Sequence, residues 1–246
     1  MNQETVIDKI NRLKLEGFKT AYLRQIEDRN YDKLSYNEKL YNLLESQEIF
    51  QSNRRIQLNF KMSKIKEKQA SLEDLVYKSS RALHKDQILS LSNMDFIRNY
   101  QNIIITGKTG TGKSYLAQAL ANRSIMDGFK AYYIRVPTIL EDISIARADG
   151  TYTNFLRKIA KYNLLILDDF GINALSADDA TNLLEIIESR VDLSSIIITS
   201  QLPVSQWYDY LNNDTVADAI LDRIVHSSHR IELKGTSMRK IMSKLD

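Results

Sequence analysis

Residues 107 to 114 read Gly107-Lys108-Thr109-Gly110-Thr111-Gly112-Lys113-Ser114, which fits the pattern G-x-x-x-x-G-K-[ST]. Phosphate chemistry needs this spacing. Small residues let backbone N–H groups close around an anion, and a helix starting at the end of the loop turns its positive end toward the same anion. Lys113 can then reach the β- and γ-phosphates of a nucleotide, and Ser114 can ligate Mg²⁺. The expected ATP-binding set is Gly107, Lys108, Thr109, Gly110, Thr111, Gly112, Lys113 and Ser114, with Tyr115 directly after it. Glycine is otherwise scarce: of eight in the chain, three fall inside this motif, where backbone must approach a ligand closely or take positive φ.

A metal–triphosphate site needs a second source of carboxylates. Leu164-Leu165-Ile166-Leu167-Asp168-Asp169 supplies one, an apolar run ending in two acids. An acid at the carboxyl end of a strand beside the loop strand can hold the metal. Asp168 is the expected metal ligand together with Ser114, and Asp169 the expected base for the attacking water. A further apolar run, Ile196-Ile197-Ile198-Thr199, leads into Ser200-Gln201, where the Gln201 amide could orient the water or touch the γ-phosphate. The chain has no cysteine, which excludes thiolate zinc sites and cysteine nucleophiles. His226 and His229 have no third ligand nearby in sequence. Trp207 reads as a packing residue.

The elements that must carry these residues alternate. The pattern predicts strands at 103–106, 131–135, 164–167, 196–199 and 229–233. Helical stretches separate them: 114–127, stopped by Gly128; segments up to about 160; 176–191; and two after Pro203. Strands separated by helices argue a parallel sheet with right-handed crossovers and both faces covered, the α/β class.

The first part of the chain differs in texture. Val6, Ile7, Ile10 and Leu13 predict one helix, Gly17 an interruption, and Phe18, Tyr22, Leu23 and Ile26 a second helix. Ser35 followed by Glu38 is a capping-box signal for a third, which runs without a breaker to about Gln69. The expected division is a helical domain over 1–70 and a nucleotide-binding domain over 71–246. Along the third helix Arg54, Lys61, Lys64 and Lys68 fall within an arc of about 80°, with Ile49, Ile56 and Phe60 opposite. Residues 54–68 hold six basic groups against the single acid Glu67. This predicts a basic face free to contact DNA phosphates and an apolar face for packing.

Net charge is only +3, so the chain as a whole is no polycation. No apolar run reaches 18 residues, and the N-terminus carries Glu4 and Asp8 without an apolar stretch. These features predict a soluble cytoplasmic protein with no membrane contact.

Together the loop, Leu164–Asp169 followed by Phe170-Gly171, and Thr199-Ser200-Gln201-Leu202-Pro203 with Trp207 resemble an AAA+ ATPase of the IstB/DnaC type. Leu221-Asp222-Arg223-Ile224-Val225-His226, His229–Leu233 and Gly235–Lys240 narrow the resemblance to the IstB-like group, which assists insertion-sequence transposition. The helical N-terminal part is also similar, so the resemblance covers nearly the whole chain. It implies an AAA+ P-loop fold with a parallel five-stranded sheet, preceded by a small all-α domain; with only seven residues after Arg239, a full C-terminal lid is not expected. It further implies a sensor role for Gln201, an arginine finger at Arg223 that reaches a neighbouring subunit's nucleotide, and a second sensor at Arg239. Arg190 is a weaker finger candidate. Asp169 stands where most AAA+ proteins have glutamate, which shortens the reach of the base.

The implied function is an ATP-binding and ATP-hydrolysing protein that uses Mg²⁺, forms a homo-oligomer with ATP at subunit interfaces, binds duplex DNA and assists a transposase. Turnover is expected to be slow and stimulated by DNA or the partner. The alternatives are a DnaC-like loader of a replicative helicase, a scaffold that uses ATP only to assemble, and a small-molecule P-loop kinase.

Overall fold

The computed structural model describes residues 2–238. It divides into two compact units, Met1–Leu58 and Asn59–Asp246.

The first unit contains α1 (Gln3–Arg12), α2 (Glu16–Glu27) and most of α3 (Tyr36–Met62). Asn2 caps α1 by accepting from the Thr5 N–H. The break before α2 falls at Lys14, whose φ is 56°, and not at Gly17, which lies inside α2. Gly17 is needed for proximity: a Cβ there would stand 2.5 Å from the Ser46 carbonyl oxygen of α3. The Ser46 hydroxyl donates to the Gly17 carbonyl at 2.9 Å, and Gln47, buried in α3, accepts from the Phe18 N–H at 3.1 Å. The Ser35–Glu38 capping box forms as expected, with the Glu38 carboxylate accepting from the Ser35 N–H at 2.8 Å. These hydrogen bonds to Ser35 hold the Glu38 pKa below its ordinary value.

The long helix ends earlier than its pattern predicts. It stops at Met62, and Lys64 takes a left-handed φ of 55°. Lys64 and Lys68 therefore lie beyond α3 and share no helical face with Arg54 and Lys61. The cause is tertiary. The Ser63 carbonyl accepts from the Tyr133 N–H at 2.7 Å, and Ile65 is buried, so the chain turns off to line the sheet edge. The expected apolar face of α3 also fails in part, since Ile49 is 55% exposed while the buried positions are Leu43 and Gln47.

In the second unit two short helices, α4 (Lys85–Ser92) and α5 (Asp95–Arg98), precede the first strand. The strands are β1 (Asn102–Gly107), β2 (Ala131–Arg135), β3 (Leu164–Phe170), β4 (Ser195–Ser200) and β5 (Ser228–Leu233). All pairings are parallel, in the order β2-β3-β4-β1-β5. Between them run α6 (Lys113–Met126), α7 (Val136–Ala148), α8 (Tyr152–Ala160), α9 (Ala177–Glu188), α10 (Trp207–Leu211) and α11 (Asp214–Val225). The expected α/β sheet is therefore present, with strands within two residues of their predicted bounds at the amino ends.

Strand side chains alternate between faces, and the core follows that period. Ile104, Leu165, Leu167, Ile196 and Ile198 pack with Ile139, Ile143, Leu183, Ile186 and Ile220 of the helices on one face. Trp207 joins that core, its ring centroid 4.5 Å from that of Phe170. The central strands are apolar on both faces, as a covered parallel sheet requires. Among the described residues no helix is long and apolar enough to cross a membrane.

Candidate functional site

β1 ends at Gly107 and α6 begins at Lys113, so the glycine-rich loop joins a strand to a helix as its motif demands. Gly107, Gly110 and Gly112 all have positive φ. The Lys108 carbonyl organises the loop: it accepts from the Thr111 N–H at 3.3 Å, the Thr111 hydroxyl at 2.8 Å and the Lys113 ammonium at 3.1 Å. Lys113 is buried against its own loop, where an anion enclosed by that loop would meet it.

Asp168 sits opposite, 2% exposed, and three hydroxyls satisfy it. Ser114 donates to Oδ1 at 2.9 Å, Thr199 also donates to Oδ1, and Tyr133 donates to Oδ2 at 2.5 Å. Burial, followed by the bond to Asp168, pushes the Tyr133 pKa up, so this phenol stays protonated as a donor. The Ser114–Asp168 contact fits a Mg²⁺ ion bound through oxygen ligands, since one hydroxyl and one carboxylate lie close enough to share a cation. Among the described residues no cluster of three or more acidic, histidine or cysteine side chains forms a separate cation site.

The neighbouring Asp169 is presented by a bulge. Leu167 pairs with Ile198 and Phe170 with Ser200, so β3 uses one more residue than β4 between those points. Asp169 occupies the extra space with φ of 62°, a conformation that Asp tolerates better than most residues. Successive strand side chains would normally point to opposite faces. The bulge instead lets Tyr133 and Arg135, two apart on β2, grip successive carboxylates. Arg135 Nε donates to Asp169 Oδ2 at 2.6 Å, and that bond, with the attraction of the same carboxylate, raises the Arg135 pKa. The Asp169 N–H is held by the Thr199 hydroxyl at 3.2 Å.

Gln201, just beyond β4, comes onto the loop, accepting from the Thr109 hydroxyl at 2.7 Å. A cleft of about 750 Å³ opens beside these residues at the carboxyl ends of β1, β4 and β5, lined by Lys108, Gln201, Val204, Glu232 and Gly235 among others. Ligands of open α/β sheets bind at this end of the strands.

Other expected residues lie elsewhere. Tyr115 turns to Ser71, its hydroxyl accepting the Ser71 N–H at 3.3 Å. Arg223 is in the last turn of α11, paired with Glu188 at 2.9 Å, and its helix leads into the start of β5. That is the end of the sheet away from the loop, about 20 Å distant along a six-residue strand. Arg190 is no finger. It is 1% exposed and donates to the carbonyls of Ile159, Tyr162 and Ser195 at 2.8 to 3.2 Å, with burial lowering its pKa to about 10. Lys64 stands 5.3 Å over the Tyr132 ring, and its hydrogen bond to that phenol raises the lysine pKa. Arg239 lies outside the described residues.

Tyr133, Arg135 and Thr199 complete the acidic end of the site, and no local pattern marked Tyr133 or Arg135 for that role. Only Thr199 carried a signal, as the polar residue ending a run of three isoleucines beside the loop strand.

This geometry can be set beside known proteins. The chain is similar in fold to the crystal structure of the DnaC helicase loader, with TM-score 0.56 and 20% identity over 68% of this chain and 97% of that one. It is also similar to a structure of the replication initiator DnaA bound to AMPPCP and single-stranded DNA, with TM-score 0.56 and 19% identity over 70% of this chain and 52% of the other. At such identities the likeness concerns the fold. Sequence relatives are closer. A putative insertion sequence ATP-binding protein of Sinorhizobium fredii is 39% identical over 95% of each chain, and one from Pseudomonas fluorescens is 37% identical over 83% of this chain and 88% of its own. The family model described as IstB-like ATP binding protein matches residues 8–245, a span that takes in the loop, the Asp168–Asp169 bulge and the Arg223 helix. The chain belongs to the IstB-like ATP binding protein family.

Proposed function

We propose that this chain binds ATP with Mg²⁺, hydrolyses it, and uses the cycle to assemble on duplex DNA and assist the transposase of an insertion sequence. The observation that carries the reading is the junction of Ser114 with Asp168, 2.9 Å apart, with Asp169 next in the chain and Gln201 at the loop. Ser114 and Asp168 would hold Mg²⁺, which when bound neutralises charge on the β- and γ-phosphates. Lys113 contacts the same phosphates, Gln201 orients the attacking water, and Asp169 takes its proton once Arg135 gives up the carboxylate.

The placement of Arg223 supports a homo-oligomer. Within one chain the loop is out of its reach, whereas a head-to-tail neighbour would bring Arg223 to the γ-phosphate and place ATP at each interface. The insertion-sequence relatives favour a transposase partner over a helicase, and the family assignment weighs against the small-molecule kinase. Arg54, Lys61, Lys64 and Lys68 remain the proposed DNA contacts, as separate phosphate-binding groups and no longer as one helical face. The test is ATP turnover and DNA retention of the full chain with and without duplex DNA. The reading expects ATP to hold the protein on DNA, ADP to release it, and DNA to raise turnover. A protein that turns over ATP on a small-molecule acceptor and ignores DNA would contradict it.

A further inference from the structure

Arg81 is buried directly behind the phosphate-binding loop, at 7% exposure. It lies in a short 3-10 turn, Ser79–Arg81, far upstream of the motif. Its Nη1 donates to the Val76 carbonyl at 2.8 Å and its Nη2 to the Thr111 carbonyl at 2.8 Å. Among the described residues it has no carboxylate partner, and burial alone lowers its pKa. A buried cation with no counter-ion is costly; Arg190 shares that condition but bonds only carbonyls away from the loop, whereas Arg81 bonds a carbonyl of the phosphate-binding loop itself.

The peptide geometry indicates what offsets the cost. The Thr111 carbonyl and the Gly112 N–H belong to one planar trans peptide and point in opposite directions. By drawing the carbonyl to one side, Arg81 turns the Gly112 amide to the other. Gly112 is itself fitted to this contact: its φ is 97°, and a Cβ would stand 3.1 Å from Arg81 Nη2. The segment after β5 closes the same corner. The Arg81 carbonyl accepts from the Lys234 N–H at 3.0 Å, and the Gly110 carbonyl accepts from the Met238 N–H at 2.8 Å.

We propose that Arg81 is a positioning residue of the nucleotide site: it sets the Thr111–Gly112 peptide so that its amide faces the phosphates, and its unpaired charge is balanced by the bound polyphosphate. The inference rests on the ATP-binding reading above. It makes Arg81 a determinant of affinity for the phosphates rather than of folding, because the free protein carries the burden of an unbalanced charge that the complex does not.

The experiment uses the full chain with Arg81→Met, Arg81→Lys and, as control, Lys113→Ala, reading MgATPγS affinity by calorimetry and the melting temperature without nucleotide. The expected result is at least tenfold weaker binding by Arg81→Met, beyond what any change in melting temperature accounts for, and partial recovery by Arg81→Lys, which keeps the charge and can bond one carbonyl. Arg81→Met affinity within twofold of wild type would overturn the assignment, as would an affinity loss that tracks a lower melting temperature. If Arg81→Met does not fold, Arg81→Lys decides: binding more than threefold weaker at unchanged melting temperature supports the proposal, and unchanged binding overturns it. Wild-type protein that fails to bind MgATPγS would overturn the ATP-binding reading itself. Normal wild-type binding, lost in Lys113→Ala and kept in Arg81→Met, would overturn only the role of Arg81.

Discussion

Arg135 and Asp169, on neighbouring strands, are joined by a 2.6 Å ion pair that occupies the carboxylate expected to act on water. Both side chains are partly exposed, 44% and 24%, so the pair is weak and readily broken. The proposed base is thus held by a surface arginine that can be taken away at little cost. Arg135→Ala should raise turnover measured without DNA severalfold and leave ATP affinity within twofold. Steady-state kinetics checks this, and a fall in turnover would make Arg135 a supporting group for the base instead of a restraint.

Lys113→Ala should weaken ATP binding by about a hundredfold or more, since charged contacts to phosphate inside a buried loop are strong. Equilibrium binding with a fluorescent ATP analogue tests this, and wild-type affinity would remove the loop from the account.

The proposed trans role of Arg223 predicts complementation. Arg223→Ala alone should bind ATP normally and turn it over at least tenfold more slowly. Lys113→Ala alone should be inactive yet retain an intact Arg223. Mixing the two should restore activity above either variant, because the Lys113→Ala copy can offer Arg223 to its neighbour's intact loop. An absence of recovery in mixed assemblies would argue that Arg223 acts only within its own chain, through Glu188.

Arg190→Met, by contrast, should act on stability. It removes a donor from three buried carbonyls, of which that of Ile159 keeps the Tyr162 N–H at 3.2 Å, and unsatisfied buried acceptors cost about 1–3 kcal/mol each. A loss of about 3 kcal/mol by denaturant unfolding is expected, with ATP turnover preserved in the folded fraction. Unchanged stability would contradict the structural role.

For DNA, changing Arg54, Lys61 and Lys68 together to Gln should weaken duplex binding across sequences. It should also flatten the log–log salt dependence by up to about 0.9 for each phosphate that is no longer neutralised. Lys64→Gln alone should do less, because its ammonium is engaged with Tyr132. Basal turnover should hold in both. Electrophoretic mobility shifts at several salt concentrations measure the difference, and an unchanged slope in the triple variant would leave these groups as solvated charges.

What was legible in the sequence was whatever local pattern encodes. The loop, the strand that precedes it, the apolar run ending at Asp168 and the Ser35 capping box are each set by neighbours in the chain. What was not legible depends on register between distant segments. The end of α3 has no glycine or proline to announce it, because the pairing of Ser63 with Tyr133 on the sheet edge sets it. Gly17 looked like a break and serves as a point of close helix contact. Tyr133 and Arg135 acquire their roles only because one extra residue between Leu167 and Phe170 turns two successive carboxylates toward the same strand. Arg81 lies in a segment with no periodic pattern, and only the folded chain brings it to Thr111.

Asp169 is the proposed hydrolytic base of an ATP site completed by Asp168, and the Asp169→Asn variant isolates that role. Asn tolerates the left-handed backbone found at this position, so the variant should fold without added strain. ATP binding and turnover of Asp169→Asn and wild type, each with and without duplex DNA, form one measurement. Binding within about threefold of wild type, turnover reduced by about a hundredfold, and a DNA stimulation present only in the wild type are predicted, in line with loss of a general base. Wild-type turnover in Asp169→Asn, or loss of ATP binding together with turnover, would contradict the account.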